Sequence, residues 1–216
     1  MSGPSQRMRA RLAPRATSLR VAESMAATDS AADCIELDLG DQDSIGRFVR
    51  GLRSTRTSLD ILVNCAGSYS RAGWRESSPD ELERMLDVNV RGVFALTAGL
   101  LPLLVCARGD IVFVNSSIVR ADGRAAGLYA ASKHALKGLA DSLRGELNEK
   151  GVRVLSVYPG RTATPMQARI HAAENLAYDP GRLLQPEDVA EAVAACLELG
   201  DTAEVTELDI RPRYRR

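Results

Sequence analysis

The chain has 216 residues, 45% of them hydrophobic and 26% charged, which is the composition of an ordinary globular protein with one core. Its 28 basic side chains balance its 28 acidic ones, so no net charge favours nucleic acid or a membrane surface, and we expect neither partner. The four cysteines form no CxxC pair and the chain has two histidines, which indicates reduced thiols in a cytoplasmic protein and no metal site.

The first 33 residues form an atypical segment that is rich in arginine. Residues 1–22 contain five arginines and no acidic residue, and residues 17–27 have the pattern of a short helix. We expect this segment to be partly helical or disordered. Its profile overlaps that of a mitochondrial targeting peptide, but the apolar arc is poor, so targeting is the weaker interpretation.

From residue 34 onward, short apolar runs alternate with longer helical patterns. Runs rich in Val, Ile and Leu predict strands at residues 34–39, 59–67, 109–117, 151–160 and 204–212, the last of them an edge strand. Helical patterns occur at residues 78–104, 127–151 and 185–200. This alternation predicts a single α/β domain over residues 34–216, with a Rossmann-like doubly wound parallel sheet.

The first of these helices is the most apolar part of the chain. Ser78 is a suitable N-cap before Pro79 at the first helical position. The apolar stretch at residues 92–107 contains Pro102 and is too short to span a bilayer. It therefore predicts a buried core helix.

Polar residues and glycines follow the predicted strands at the points where the strands end. In a doubly wound sheet, ligands bind beyond the carboxyl ends of the strands. Tyr129 and Lys133 lie in the helix after the third of those ends, and their spacing of four residues puts them on one helix face. One cleft is therefore predicted, lined by Asp38, residues 64–67, Ser116, residues 159–164, Tyr129 and Lys133.

With these residues in place, the sequence resembles the classical short-chain dehydrogenases and reductases. The matching motifs occur in that family's order and at about its spacing over residues 34–212. They are DL at 38–39, NCAG at 64–67, VNVRG at 88–92, NSS at 115–117, YAASK at 129–133 and PGRTATPM at 159–166. The resemblance implies hydride transfer between NAD or NADP and a small-molecule carbonyl or secondary alcohol. It also implies a homodimer or homotetramer, with the helices at about 79–105 and 128–149 at the subunit interface.

The resemblance further implies a role for each site residue. Tyr129 would act as acid and base, Lys133 would favour its phenolate and bind the nicotinamide ribose, and Ser116 would hold the substrate oxygen. Asn89 would support a water chain through a local distortion of its helix. The implied cofactor-binding residues are Asp38, Asn64, Ala66, Gly67, Tyr129, Lys133, Pro159, Gly160, Thr162 and Thr164.

Several of these residues also have a purely structural interpretation. Tyr129 and Lys133 could be ordinary residues of an amphipathic helix. Ser117 competes with Ser116 for the serine role, but the family's separation of thirteen residues from the tyrosine selects Ser116. The residues that could serve only in turns, caps or local backbone hydrogen bonds are Asp38, Asn89, Thr162 and Thr164.

The chain departs from the family before residue 34, where Gly3 is the only glycine. The family's first strand and the glycine-rich turn that holds the cofactor pyrophosphate have no counterpart, so the predicted sheet is N-terminally incomplete. Four arrangements remain open. The strand at 34–39 docks beside that at 59–67, residues 1–37 are loosely attached, a partner chain covers the edge, or the chain is truncated.

Two functions are consistent with this sequence. The first is an NAD(P)-dependent oxidoreductase of the short-chain type, without a metal. The alternative is a truncated or catalytically impaired relative that acts as a binding or oligomer-forming protein. Residues 167–185 predict a mobile lid over the site, but their side chains indicate no substrate class.

Overall fold

A computed structural model describes residues 35–70, 73–120 and 127–214. Within these ranges, four strands form a parallel sheet in the order β1, β2, β3, β4. Val63 pairs with Val112, Phe113 with Ser156, and Val157 with Leu208. The strands are β1 (Ile61–Asn64), β2 (Asp110–Val114), β3 (Arg153–Pro159) and β4 (Glu207–Ile210).

Helices connect the strands, as the crossovers of a parallel sheet require. They are α1 (Gln42–Thr55), α2 (Pro79–Leu86), α3 (Val93–Ala107), α4 (Gly127–Leu147), α5 (Pro165–Ala173) and α6 (Pro186–Leu197). A π-helical segment at Asp87–Gly92 joins α2 to α3, and 3₁₀ turns lie at Ser117–Arg120, Asn148–Lys150 and Pro180–Arg182. The predicted doubly wound α/β fold is confirmed, and so are four of the five predicted strands.

The predicted helix boundaries rest on local signals that the structure contains. The Ser78 hydroxyl accepts a hydrogen bond from the Glu81 amide at 3.2 Å, and Pro79 is the first residue of α2. At the other end of the next connection, Gly151 has φ of 74°, a left-handed conformation that ends the helical segment before β3.

The core lies on both faces of the sheet. Ile111 and Phe113 of β2 belong to a cluster that includes residues from α1, α3 and α4. Val112, which points to the opposite face, belongs to a second cluster with Val189 and Val193 of α6. Helices therefore cover both faces of the sheet, and the carboxyl ends of the strands remain available for a site.

The apolar stretch at 92–107 packs into this core, as the sequence predicts. Leu96, Leu100 and Leu104 are at most 1% exposed. By length and composition alone, the continuous helical segment at residues 79–107 would suffice to cross a membrane, with a mean hydropathy of 1.9. Its buried face instead packs against β1 and α1 in the structure.

The strand predicted at residues 34–39 is wrong for the residues that the structure describes. Residues 35–38 have no regular secondary structure, and no strand of the described chain pairs with them. Leu37 and Leu39 are nevertheless buried, at 4% and 5% exposure, with Asp38 exposed between them. The alternation of apolar and polar residues in the sequence reflects the burial of every second side chain. An extended loop that packs on the core also buries every second side chain, although it forms no hydrogen bonds to a neighbouring strand. Direct docking of this segment beside β1 is therefore also wrong.

Candidate active site

Helix α4 carries the tyrosine and the lysine on one face, close to the end of β2. The Lys133 Nζ donates a hydrogen bond to the Val114 carbonyl oxygen at 3.1 Å and lies 5.8 Å from the centre of the Tyr129 ring. Lys133 is only 4% exposed, whereas Tyr129 is half-buried. The interpretation of Lys133 as a solvated surface residue is therefore wrong.

The serine at the end of β2 completes this group. The Ser116 side chain lies close enough to the Tyr129 hydroxyl to lower its pKa. Asn115 fixes the serine in place, because its Oδ1 accepts from the Ser116 amide at 2.9 Å and its Nδ2 donates to the Lys133 carbonyl oxygen at 3.0 Å. The structure thus brings Ser116, Tyr129 and Lys133 together, as the sequence predicts.

Burial sets the electrostatics of the pair. Burial raises the pKa of the Tyr129 hydroxyl, and the nearby polar side chain of Ser116 partly offsets that rise. Burial also lowers the pKa of Lys133 from its ordinary 10.5 to about 8, with the nearby Cys65 opposing the shift. Lys133 therefore remains largely charged at neutral pH while buried beside the phenol.

The predicted distortion of the helix around Asn89 is confirmed as the π-helical segment at Asp87–Gly92. Asn89 is fully buried, and its side chain bonds a loop rather than its own helix. Its Oδ1 accepts from the Ser68 amide at 2.7 Å, and its Nδ2 donates to the Ser68 carbonyl at 2.9 Å and to the Ser132 hydroxyl at 3.0 Å. Ser132 in turn donates to the Tyr129 carbonyl oxygen at 2.8 Å. Asn89 therefore links the loop after β1 to helix α4.

The loop after β1 lies against the same group. A Cβ atom at Gly67 would stand 3.5 Å from the Asn89 Oδ1 and 3.6 Å from the Lys133 Nζ, so the Gly67 backbone lies beside both side chains. Asn64 is buried at the end of β1, and its Nδ2 donates to the Thr97 hydroxyl at 3.2 Å. Its Oδ1 is buried without a hydrogen-bond partner among the described residues. Ala66 is partly buried in the same loop.

Asp38 lies in a turn at the start of α1. Its Oδ1 accepts from the Gly40 amide at 2.8 Å, and its carbonyl oxygen accepts from the Asp41 amide at 3.2 Å. The structural interpretation as a turn-forming residue is confirmed. Its side chain is also exposed, and an adenine contact stays a prediction.

The segment after β3 combines backbone pairing with side-chain caps. Gly160, directly after Pro159, donates its amide to the Ile210 carbonyl at 2.8 Å. The Thr162 hydroxyl donates to the Gly160 carbonyl at 3.1 Å, and the Thr164 hydroxyl accepts from the Gln167 amide at 3.2 Å as the N-cap of α5. The turn and cap roles of both threonines are confirmed, and their cofactor contacts stay predictions.

Sequence reasoning missed several residues that complete the group. Asn115 and Ser132 were present in the matching motifs, but their roles depend on contacts that only the fold creates. Tyr69 was not singled out, although its ring packs edge-on against the Tyr129 ring with centroids 5.0 Å apart. Trp74, in the same loop, is 89% exposed. The sequence signal available for Tyr69 and Trp74 was their position. Both are aromatic residues in the loop after β1, and β1 ends at the cleft.

Comparisons with known proteins agree with this geometry. The family model described as short chain dehydrogenase matches residues 8–175. Dehydrogenase OXI1 of Cochliobolus heterostrophus is 35% identical over 76% of this chain and 75% of its own length. The uncharacterized short-chain type dehydrogenase/reductase y4eK of Sinorhizobium fredii is 31% identical over 82% of this chain and 72% of its own.

A solved structure gives the same fold. The alcohol dehydrogenase of Thermococcus sibiricus, complexed with 5-hydroxy-NADP, superimposes with a TM-score of 0.81 at 24% identity, over 95% of this chain and 86% of that chain. The match to the family model begins inside the arginine-rich segment, upstream of the motifs that suggested the resemblance. The chain therefore belongs to the classical short-chain dehydrogenase/reductase family.

Proposed function

We propose that this protein is an NAD(P)-dependent oxidoreductase that interconverts a small-molecule carbonyl compound and a secondary alcohol, with Tyr129 as acid and base. One observation carries the proposal. The Ser116 side chain lies close enough to the Tyr129 hydroxyl to lower its pKa, and the Lys133 Nζ lies 5.8 Å from the centre of the Tyr129 ring on the same face of α4. A proton donor, an oxygen-binding group and a nearby cation are the parts that carbonyl reduction requires.

Each side chain has a defined task in the reduction. The cofactor, when bound, supplies the hydride that forms the new C–H bond at the carbonyl carbon. Ser116 donates a hydrogen bond to the carbonyl oxygen, and Tyr129 transfers its phenolic proton to that oxygen, so the product is a neutral alcohol. Lys133 then stabilises the phenolate that remains, since an adjacent positive charge favours the ionised form. In oxidation the same groups act in reverse.

The residues around Lys133 fit a nicotinamide cofactor. The Gly67 backbone lies beside Lys133 without a side chain, so a ribose could approach both. Asn64 holds a buried oxygen without a partner at the end of β1. We propose that Lys133 binds the ribose, that Asn64, Ala66 and Gly67 border it, and that Asp38 contacts the adenine. On the other side of the cleft, the proposed contacts are Pro159, Gly160, Thr162 and Thr164.

The alternative of a silent relative has less support. Asn89, Ser132 and Asn115 hold the tyrosine, the lysine and the serine in one hydrogen-bonded unit. The similarity to Thermococcus sibiricus alcohol dehydrogenase, whose structure contains 5-hydroxy-NADP, favours cofactor binding as well. We further propose that the protein acts as a homodimer or homotetramer in the cytoplasm.

The test is a titration of the purified protein with NADPH and NADH, followed by the fluorescence of the reduced nicotinamide. A panel of ketones is then added, and cofactor oxidation is recorded by absorbance. The proposal expects a saturable change in fluorescence and ketone-dependent oxidation, both lost or strongly reduced in Lys133→Met. If neither cofactor binds at millimolar concentration and no ketone is reduced, the proposal is wrong.

A further inference from the structure

Two aromatic side chains from the loop after β1 lie beside the catalytic tyrosine. The Tyr69 ring meets the Tyr129 ring edge-on at 5.0 Å, with an angle of 66° between the ring planes. The Trp74 Nε1 lies 3.4 Å from the position that a Cβ atom at Gly127 would occupy. Gly127 is the first residue of α4, two positions before Tyr129. Tyr69 therefore borders the Tyr129 ring, and Trp74 lies beside the start of the helix that carries Tyr129.

The loop that presents these rings is held by its own hydrogen bonds. The Ser70 hydroxyl donates to the Glu81 carboxylate in α2. The Ser77 amide donates to the Gly73 carbonyl oxygen at 2.9 Å, and the Ser77 hydroxyl donates to the same oxygen at 2.7 Å. Trp74 is thus carried on a closed turn at residues 73–77 that leads directly into α2 at Pro79.

The exposure of Trp74 is unusual for a side chain in this position. It is 89% exposed, although a tryptophan ring contributes a large apolar surface that folding normally covers. An ordered turn that keeps such a ring exposed beside the start of α4 leaves an apolar face for a ligand to cover. Aromatic rings pack favourably edge-on or offset against such a face.

We propose that Tyr69 and Trp74 form a subsite for an aromatic group on the carbonyl substrate, placed a few bonds from the reacting carbon. The inference rests on the proposed function, because it takes Tyr129 as the group that meets the carbonyl. It narrows the substrate class to ketones or aldehydes with an aromatic substituent. It also assigns selectivity to the loop after β1.

The test compares 4-phenyl-2-butanone with 2-butanone, which is the same ketone without the phenyl group. Trp74 is the only tryptophan of the chain, so its fluorescence reports the subsite directly and without turnover. We expect 4-phenyl-2-butanone, and not 2-butanone, to shift the emission to shorter wavelength as the indole leaves water. Trp74→Ala should lower kcat/KM for 4-phenyl-2-butanone by about tenfold, mainly through KM, and change that for 2-butanone by less than about twofold.

A matched control is Leu199→Ala, because Leu199 is 43% exposed and lies beside Arg153, at the amino end of β3 and opposite to the cleft. It should leave both substrates unaffected. If Trp74→Ala lowers kcat/KM for both ketones equally, or if 4-phenyl-2-butanone causes no emission shift, the subsite is refuted while the oxidoreductase function stands. If the emission shifts but neither ketone is reduced, the subsite is supported and the proposed function is the part that fails.

Discussion

Lys133 carries a positive charge at a buried position, where the loss of solvation disfavours the charged form. Its ammonium is buried at the centre of the site, with the Val114 carbonyl oxygen as a hydrogen-bond acceptor. Burial lowers its pKa to about 8 from 10.5. In the unfolded chain the lysine has its ordinary pKa, so the folded state holds the proton less tightly. Below pH 8 both states are charged, and the folded state carries the full energetic cost of the buried charge.

We expect Lys133→Met to stabilise the fold by about 1–3 kcal/mol near neutral pH, since a pKa shift of this size is worth about 3 kcal/mol and the lost hydrogen bond offsets part of it. The difference from the wild type should shrink between pH 8 and 10.5, because the wild-type lysine loses its proton in that window. Urea unfolding of both proteins at several pH values measures this difference in the free energy of unfolding. Lys150→Met, at an exposed site, is the control. A variant that is less stable than the wild type at every pH would contradict this account.

The chemistry-bearing residues were readable from the sequence, whereas their supports were not. Tyr129, Lys133 and Ser116 stand in the motifs that carry the resemblance to the family. Thr162 and Thr164 are polar residues at a strand end, and polarity alone does not separate a cap from a ligand contact. The role of Trp74 depends on which residues the loop after β1 reaches, and spacing along the chain does not give that distance.

At the scale of elements, the π-helical segment is the feature that joins the loop after β1 to the core. It ends at Gly92, where a Cβ atom would stand 2.1 Å from the Leu39 carbonyl oxygen. No rotamer change relieves a clash between a Cβ and a backbone oxygen, so the backbone itself would have to shift. The glycine therefore allows the segment at 35–39 to pack against the helix.

We expect Gly92→Ala to destabilise the protein by about 1–3 kcal/mol, the usual range for overpacking. Gly51→Ala in α1 is the matched control, because nothing lies within 4 Å of its added Cβ. Alanine there should stabilise the helix by about 0.5–1 kcal/mol. Chemical denaturation of both variants measures the two effects. Equal stability of the two variants would show that the close approach at Gly92 has no energetic weight.

The elements themselves were largely predictable, and the exception has a clear cause. Hydrophobic runs and N-cap residues such as Ser78 reflect local conformational preferences. The elements of the folded protein agree with these preferences. The segment at 35–39 has the alternation of a strand, but pairing also needs a neighbouring strand with free hydrogen-bonding groups. The sequence of the segment carries no information about that neighbour. By contrast, the π-helical segment at Asp87–Gly92 agrees with the distortion around Asn89 that the family resemblance implies.

At the scale of the whole molecule, the outer faces of α3 and α4 leave an apolar groove. It is lined by Phe94, Thr97, Ala98, Phe113, Leu139, Ser142, Leu143 and Glu146. Phe94 is 57% exposed, although it lies in the most apolar helix of the described chain. An exposed phenylalanine over an apolar groove suits a self-complementary interface with a second copy of the chain.

We therefore expect a dimer at micromolar concentration, and a shift to monomer in Phe94→Glu. A twofold interface would bury the new carboxylate twice, at several kcal/mol for each desolvated charge. Light scattering coupled to size exclusion measures the mass, and Leu199→Glu is the control at an exposed site elsewhere. A strictly monomeric wild type, or a Phe94→Glu variant that remains dimeric, would contradict this interface.

The sequence before residue 34 also predicts weak binding of the cofactor phosphates. It contains no glycine-rich turn, so we expect the 216-residue chain to lack two or three amide hydrogen bonds to charged oxygens, at about 1.5–3 kcal/mol each. Affinity should fall by several orders of magnitude relative to a family member that has the turn. Calorimetric titration with NADPH and NADH measures the dissociation constant. A value at or below micromolar for either cofactor would show that other groups compensate.

The most direct test of the central claim follows the hydride and the proton together. The protein is incubated with a ketone and with NADPH or NADH deuterated at the transferring position of the nicotinamide, and the alcohol is analysed by mass spectrometry. The wild type should place one deuterium on the former carbonyl carbon. Tyr129→Phe should bind the cofactor equally, keep its thermal stability and slow the transfer by about 10²–10⁴-fold, because only the proton donor is lost. Deuterium transfer at a near wild-type rate in Tyr129→Phe would contradict the role of Tyr129.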